Sequence, residues 1–477
     1  MAGYDYNPNN WLTTLTHSNS TGLVAGFAYG YDNEGNKLCA SNFFDPLQSE
    51  AYSYDAIFRL TNHLVGNLTS CTVPAPGAQT QWQLDPVGNW LCKISNGVSE
   101  YRTNNAVNEI TQRGGTLILS DDNGNEIDDG TFQYDWDQEN RLVAVTRLAD
   151  NQVVGQYAYD ALGRRIVKVA SPAETVTSTV YLHDGNRIVE EQSATGVTMA
   201  TFTFGNYIDE VLTMNRGGQT YYYHQNALWS ATALTDSAAV PTERYTFDAY
   251  GCAAISDGTG TPVTLNAWGT PHSALGNPFM FTGRQLDEEA GLYCYRARYY
   301  SPGLGRFISP DPIGNWADGM NLGNGFAYVG NSPINRLDPM GLGWWGKAKA
   351  AVGAVVGAVA EAAKAVAEAV AEAVESSAEP PVSTNETEMD RQVKKLFKLE
   401  GEKQMWNEIS TMQTCQTYGT FGSVGDGTGT YKTKPADFLD PVGGALFALG
   451  IQEEIILRDI KRSDPELAKG LAIAAGR

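Results

Sequence analysis

The sequence predicts a mainly β protein, a wound sheet or β-solenoid of hairpins, followed by a small α-rich C-terminal segment. Three observations predict it. A short phrase built on Tyr-Asp and a following Gly, Asn or Arg returns along residues 1–250. The 477 residues include 24 Tyr, 10 Trp and 50 Gly, a composition suited to strands joined by tight turns. The character of the chain then changes abruptly after DPMGL at residues 338–342, where Ala/Val/Glu-rich sequence begins.

The phrase can be followed in order. Tyr4-Asp5 leads to Asn10 and Leu12, Tyr31-Asp32 to Gly35, Asn36 and Leu38, and Tyr54-Asp55 to Arg59 and Leu60. Leu84-Asp85 leads to Gly88 and Asn89, and Tyr134-Asp135 to Asn140, Arg141 and Leu142. The cleanest copy is YDALGRRI at 159–166, with weaker ones at 181–188 and 245–251. Alternation before the Asp, as in Gln156-Tyr157-Ala158-Tyr159, suits a strand. Asp followed by Gly or Asn supplies turn chemistry, including the positive φ that Gly tolerates. Alternation resumes from Arg165 to Val169 as a returning strand. One hairpin cannot bury its own face, so copies spaced by roughly 20 to 30 residues stack into a shared core. On this reading the Asp side chains form turns and are neither acids nor metal ligands.

Charge and motif content exclude several functions. Basic residues number 33 against 54 acidic ones, a net charge of −21, so the bulk of the chain repels phosphate and the β-rich part is not expected to bind nucleic acid. The six Cys form no CxxC pair and read as packed thiols. The five His are scattered over the β-rich part, and neither an HExxH helix nor a Walker loop is present. The acidic stretch 121–129 resembles a calcium loop but lacks the twelve-residue ligand register, and reads as a solvated turn. No metal or other cofactor is expected. The N-terminus has no leader pattern and no segment reaches about 18 uninterrupted apolar residues. Export, or display at the cell surface, would then follow a non-classical or partner-dependent route. Because Met1 runs almost directly into a Tyr-Asp unit, the chain reads as the downstream part of a longer ancestral protein.

The Tyr-Asp copies resemble the RHS/YD-repeat family, which includes bacterial rearrangement-hotspot proteins, the C component of insecticidal toxin complexes and the YD shell of teneurins. The following region resembles the RHS repeat-associated core domain. The matching motifs are YYYHQ at 221–225, LTD at 234–236, RYTFDAYG at 244–251, FTGR at 281–284, GLY at 291–293 and YRARYY at 295–300. They continue with LGRF at 304–307, DPIG at 311–314, AYVGNSP at 327–333 and DPMGL at 338–342. The resemblance covers residues 1–342 and implies a long sheet strip that spirals into a hollow shell. The core domain would plug one end, and the variable C-terminal segment would be carried inside as cargo. The expected domains are YD repeats over 1–220, the core domain over 221–342, an Ala-rich amphipathic helix over 343–379 and an effector-like domain over 380–477.

Toxin members of this family cut their own chain just after the DPxGL motif. By motif position, the resemblance implies Asp311, Asp338 and Arg298 as the catalytic residues and Leu342-Gly343 as the cleavage site. The chemistry is self-consistent. Two close carboxylates cannot both stay ionised, so they share a proton. One activates water while the other donates to the peptide, and Arg orients a carboxylate. Read from the residues alone, both Asp-Pro units serve equally as turn formers. The resemblance further implies a delivery or secretion component and an immunity protein as partners.

Beyond the boundary, residues 349–375 are expected to form a helix with valines at helical spacing and a GxxxG at Gly353 and Gly357. It packs as an amphipathic helix or touches a membrane during delivery; Glu361, Glu368 and Glu372 argue against a stable span. A polar linker over 376–387 precedes expected helices at 390–412, 446–461 and 464–475, with a Gly/Thr-rich loop or hairpin at 418–434. The segment has no His, which excludes HNH-type nucleases, and its one Cys, Cys415, has no His partner. The Glu-Gly-Glu-Lys stretch at 400–403, a candidate metal-nuclease motif, lacks an upstream Asp on a strand and reads as a solvated helix face. With 15 basic and 19 acidic residues the segment carries a net charge of −4, so it is not a basic nucleic-acid binder. No enzymatic activity is assigned to it. Two rivals to the self-cleaving shell remain at this point: a noncatalytic teneurin-like surface or adhesion module, and a truncated remnant with an inert tail.

Overall fold

The structure, a computed structural model, describes residues 1–343 apart from 172–175, 264, 266–268 and 316–317. The helices, linker and loop expected beyond 343 lie outside the described residues. Within them the chain forms an antiparallel strip in strict sequence order. Eleven strands run from Ala2–Tyr6 to Thr116–Leu117, and fourteen from Leu119–Ser120 to Ala253–Asp257. The second sheet continues without a break through position 221. A third sheet of four short strands follows, Gln285–Asp287, Leu292–Cys294, Tyr299–Ser301 and Arg306–Phe307.

Each Tyr-Asp turn is built the same way. The Asp carboxylate accepts amide hydrogens two and four residues on, from Ile57 and Arg59 at Asp55, and from Leu162 and Arg164 at Asp160. The residue three on has positive φ, as at Phe58 (66°) and Gly163 (73°). This is a type I turn closed by a left-handed residue, the bulged hairpin loop that matches strand twist. The fourth residue reinforces the turn: Arg59, Arg141 and Arg164 pair with Asp55, Asp137 and Asp160, each at 2.7 Å. Turns are also linked to one another. Arg59 Nη1 donates to Asp85 O at 2.7 Å and Arg164 Nη1 to Gly185 O at 2.8 Å. The Tyr hydroxyls reach back to the preceding hairpin: Tyr31 donates to Leu12 O, Tyr54 to Lys37 O and Tyr159 to Leu142 O, all at 2.6 Å.

Three copies differ from the sequence reading. Asp5 and Asp135 lie within strands, and Asn7 and Asp137 two residues later form the turns. The copy at 181–188 is a two-residue hairpin, with Asp184 paired to Arg187. Asn105, Asp121, Asn226, Asp236 and Asp257 form the same turn without a preceding Tyr. The 121–129 loop is therefore a repeat turn, and it is not simply solvated. Asn125 and Glu126 are buried, and burial pushes Glu126 up to about 8. The packed-thiol reading of the Cys also needs correcting. Cys39 and Cys71 form a disulfide, because the connection after Leu60–Val65 folds back over Lys37–Asn42. Cys92, Cys252 and Cys294 are free.

The strip comes round to its own beginning. His17 Nε2 donates to Gln225 O at 2.9 Å, Asn19 to Ala239 O at 2.7 Å, and Arg244 to Val24 O at 2.8 Å. The third sheet and its loops occupy the inside of this turn. Trp82, Trp90, Tyr250 and Ile334 share one apolar cluster. Tyr134, Val145, Leu292 and Tyr299 share a second, and Phe202, Met214, Tyr300 and Tyr328 a third. Polar bonds fix the same docking: Trp90 Nε1 donates to Asn331 Oδ1 at 3.0 Å, and buried Asp287 binds Arg165 at 2.5 Å and Lys168 at 2.8 Å.

Candidate active site

The hydrophobic interior converges on the last described residues. Tyr293, Tyr295, Tyr300, Phe307 and Tyr328 form a fully buried aromatic cluster, and the guanidinium of Arg298 stacks on Phe307 at 3.6 Å. Segment 295–298 makes a tight turn, with Tyr295 N donating to Arg298 O at 2.9 Å, that aims two cations and an amide at residues 339–341, where Arg284 joins them. Arg284 and Arg296 both donate to Pro339 O, Ala297 N to Met340 O at 3.2 Å, and Arg298 Nε to Gly341 O at 2.5 Å. Three successive residues of the exit segment are thus held through their carbonyls. Gly341 is required there: its φ is +69°, and a Cβ would lie 2.5 Å from Tyr295 O.

Arg298 brings the two aspartates together. Its Nη2 lies 3.2 Å from Asp311 Oδ2 and 3.4 Å from Asp338 Oδ2, and all three side chains are at most 2% exposed. Nη1 donates to Gly325 O at 2.8 Å, so the chain between the two aspartates is anchored on the same Arg. Asp338 Oδ1 accepts from Leu342 N at 3.0 Å and Oδ2 from Gly343 N at 2.8 Å. Asp311 Oδ1 accepts from Ile313 N at 3.0 Å, while its buried Oδ2 touches Arg298 at an angle that makes no hydrogen bond. Both aspartates therefore close turns, as the residues alone suggested, and both also face one buried Arg.

Burial dominates the electrostatics of Asp311 and Arg298. Burial raises Asp311 above the ordinary carboxylate range, and the charges of Asp338 and Asp318 add to the rise while Arg298 opposes it. Burial lowers the Arg298 guanidinium, and Asp311, Asp338 and Asp318 draw it back up. Asp318 thus belongs to the same cluster, and sequence reasoning missed it. It carries no Asp-Pro motif, and its place beside Arg298 arises only from the fold of 311–330. Among the described residues no group of three or more His, Cys, Asp or Glu side chains is arranged to hold a metal ion.

The sequence pattern of the family described as Teneurin YD-shell matches residues 30–322. The chain belongs to that family. It is also similar to tRNA3(Ser)-specific nuclease WapA of Bacillus spizizenii, 29% identical over 358 residues, which are 72% of this chain and 15% of that relative. With toxin subunit YenC1 of Yersinia entomophaga it is 25% identical over 387 residues, 68% of this chain and 38% of the subunit. A crystal structure of TcdB2-TccC3-Cdc42 aligns with 72% of this chain and 18% of that one, at a TM-score of 0.55 and 19% identity, a likeness of fold. The RHS/YD shell inferred from the motifs is the fold observed. The chain spans well under half the length of these relatives.

Proposed function

We propose that this chain is the plugged, self-cleaving end of a toxin-type RHS shell, cutting its own backbone between Leu342 and Gly343 to free a C-terminal effector segment. The observation that carries the reading is Asp338 Oδ2 on the Gly343 amide, beside an Arg shared with Asp311. In the reaction, Asp311 holds a proton and polarises the Leu342 carbonyl, while Asp338 takes a proton from water. The hydroxide adds to the carbonyl carbon. Asp338 passes its proton to the departing nitrogen, and the Leu342–Gly343 bond breaks. The products are a Leu342 carboxylic acid and a Gly343 amine, which exchange a proton to become carboxylate and ammonium, and Asp311 keeps its proton throughout. Arg298 holds both carboxylates and the Gly341 carbonyl in register.

Relatives whose names denote nucleases and toxins support a cargo that acts after release; the reading adds a delivery component and an immunity protein as partners. Denaturing electrophoresis of the purified chain tests the cutting: the wild type runs as two pieces and Asp338→Asn as one. Expression of residues 343–477 alone in bacteria tests the cargo: growth arrest supports an effector, and unimpaired growth favours an inert tail.

A further inference from the structure

Gly343 supplies the nitrogen of the proposed scissile bond, and the wall beside it comes from a residue that the reaction above does not use. A Cβ built on Gly343 would lie 2.5 Å from Asp318 Oδ2, 2.8 Å from Asp318 Cβ and 3.0 Å from Asp318 Cγ. Rotating the carboxylate relieves the first contact but not the second, because Cβ is fixed to the backbone. Asp318 is also held in place. It is 2% exposed, its carboxylate accepts from Met320 N at 3.0 Å, and it caps the 3-10 turn Gly319–Asn321. That turn is tied down in its own right by Gly330 N, which donates to Asn321 Oδ1 at 2.8 Å. The Gly343 φ of +79° is a second, separable demand, one that Asn meets better than Ala does.

We propose that Asp318 is a specificity-determining residue that admits only glycine at position 343 and so dictates what may follow the cut. The inference rests on the cleavage reading. A larger residue at 343 must back away from Asp318, and in doing so withdraws its nitrogen from Asp338. The requirement is one of shape, so Asp318→Asn preserves it and Asp318→Gly removes it.

The test is a time course of self-cleavage of the full chain, followed by denaturing electrophoresis, with a melting curve on each variant to confirm folding. Gly343→Ala and Gly343→Asn are both expected to cut at least about tenfold more slowly than wild type. The double variant Asp318→Gly/Gly343→Asn is expected to recover most of the loss seen in Gly343→Asn. If Gly343→Asn cuts at the wild-type rate while Gly343→Ala does not, the left-handed backbone alone demands glycine, and the role of Asp318 is overturned. That comparison stands even if Asp318→Gly fails to fold. If the wild type itself is never cut, the cleavage reading falls and this inference falls with it. A cut wild type with an indifferent position 343 defeats this inference alone.

Discussion

Asp338 Oδ2 accepts the amide hydrogen of Gly343 at 2.8 Å, five residues further along the chain, while the other oxygen of the same carboxylate holds Leu342 N at 3.0 Å. One side chain therefore holds the amides on both sides of the Leu342 carbonyl, and Arg298 holds the carbonyl of Gly341 just before it. If these contacts were only those of a turn, losing Arg298 would cost stability. If they are a reaction centre, it also stops the cut. Arg298→Lys keeps the charge but loses the fork that spans Gly325, Gly341 and both aspartates. It is expected to fold and to cut at most about a hundredth as fast as wild type in a timed gel assay.

The pH dependence of cutting follows from Asp311. Its pKa is raised by burial, so the proton it contributes is retained above the ordinary carboxylate range and lost as pH rises through the raised value. The rate of self-cleavage is expected to fall with rising pH, with its midpoint above the ordinary Asp value of 3.8. Rates measured by quenched time points across a pH series check this, and a rate that climbs steadily with pH contradicts it.

Acid acts differently on the seam where the strip meets its own start. The rings of His17 and His224 meet edge to face at 5.0 Å. Burial lowers both, His224 to about 4, and the charges of the other His, of the N-terminus and of Arg244 lower His224 further. Each is neutral in the folded state, so its contribution to stability is present above about pH 6.5 and lost as pH falls toward 4. Denaturant melts at pH 7 and pH 5 are expected to show a drop in stability that is smaller in His224→Gln.

The interior depends on charges that bridge wall and plug. Asp287 is fully buried between Arg165 and Lys168, and Lys168 also binds Glu289 at 3.0 Å. Removing one partner strands the others in an apolar site. Arg165→Met is expected to cost about 3 to 5 kcal/mol in a denaturant melt, far more than removing the surface pair Arg147–Asp150.

How much of this could be read from the sequence depended on distance along the chain. The turns at Asp55 and Asp160 were legible because donor and acceptor lie within four residues and always in the same order. Asn105 and Asp257 make the same turn with no Tyr before them, so a search keyed on Tyr passed them by. Asp5 and Asp135 misled for the opposite reason: the Tyr-Asp pair is present, but the strand runs two residues past it. The Cys39–Cys71 bond joins positions 32 apart and depends on how one connection folds back. At the candidate site, Asp311, Asp338 and Arg298 carried recognisable motifs, and the structure places both aspartates against Arg298. Asp318 carried none, and its position follows only from the packing of 311–330 against the aromatic cluster.

The most direct test of the central claim is mass spectrometry with N-terminal sequencing of the full chain purified and held under native conditions. The account predicts two products, residues 1–342 and a piece of 135 residues beginning Gly343-Trp344-Trp345, and a single intact chain for Asp311→Asn and Asp338→Asn. A wild type that stays whole, or one cut equally well in both variants, would contradict it.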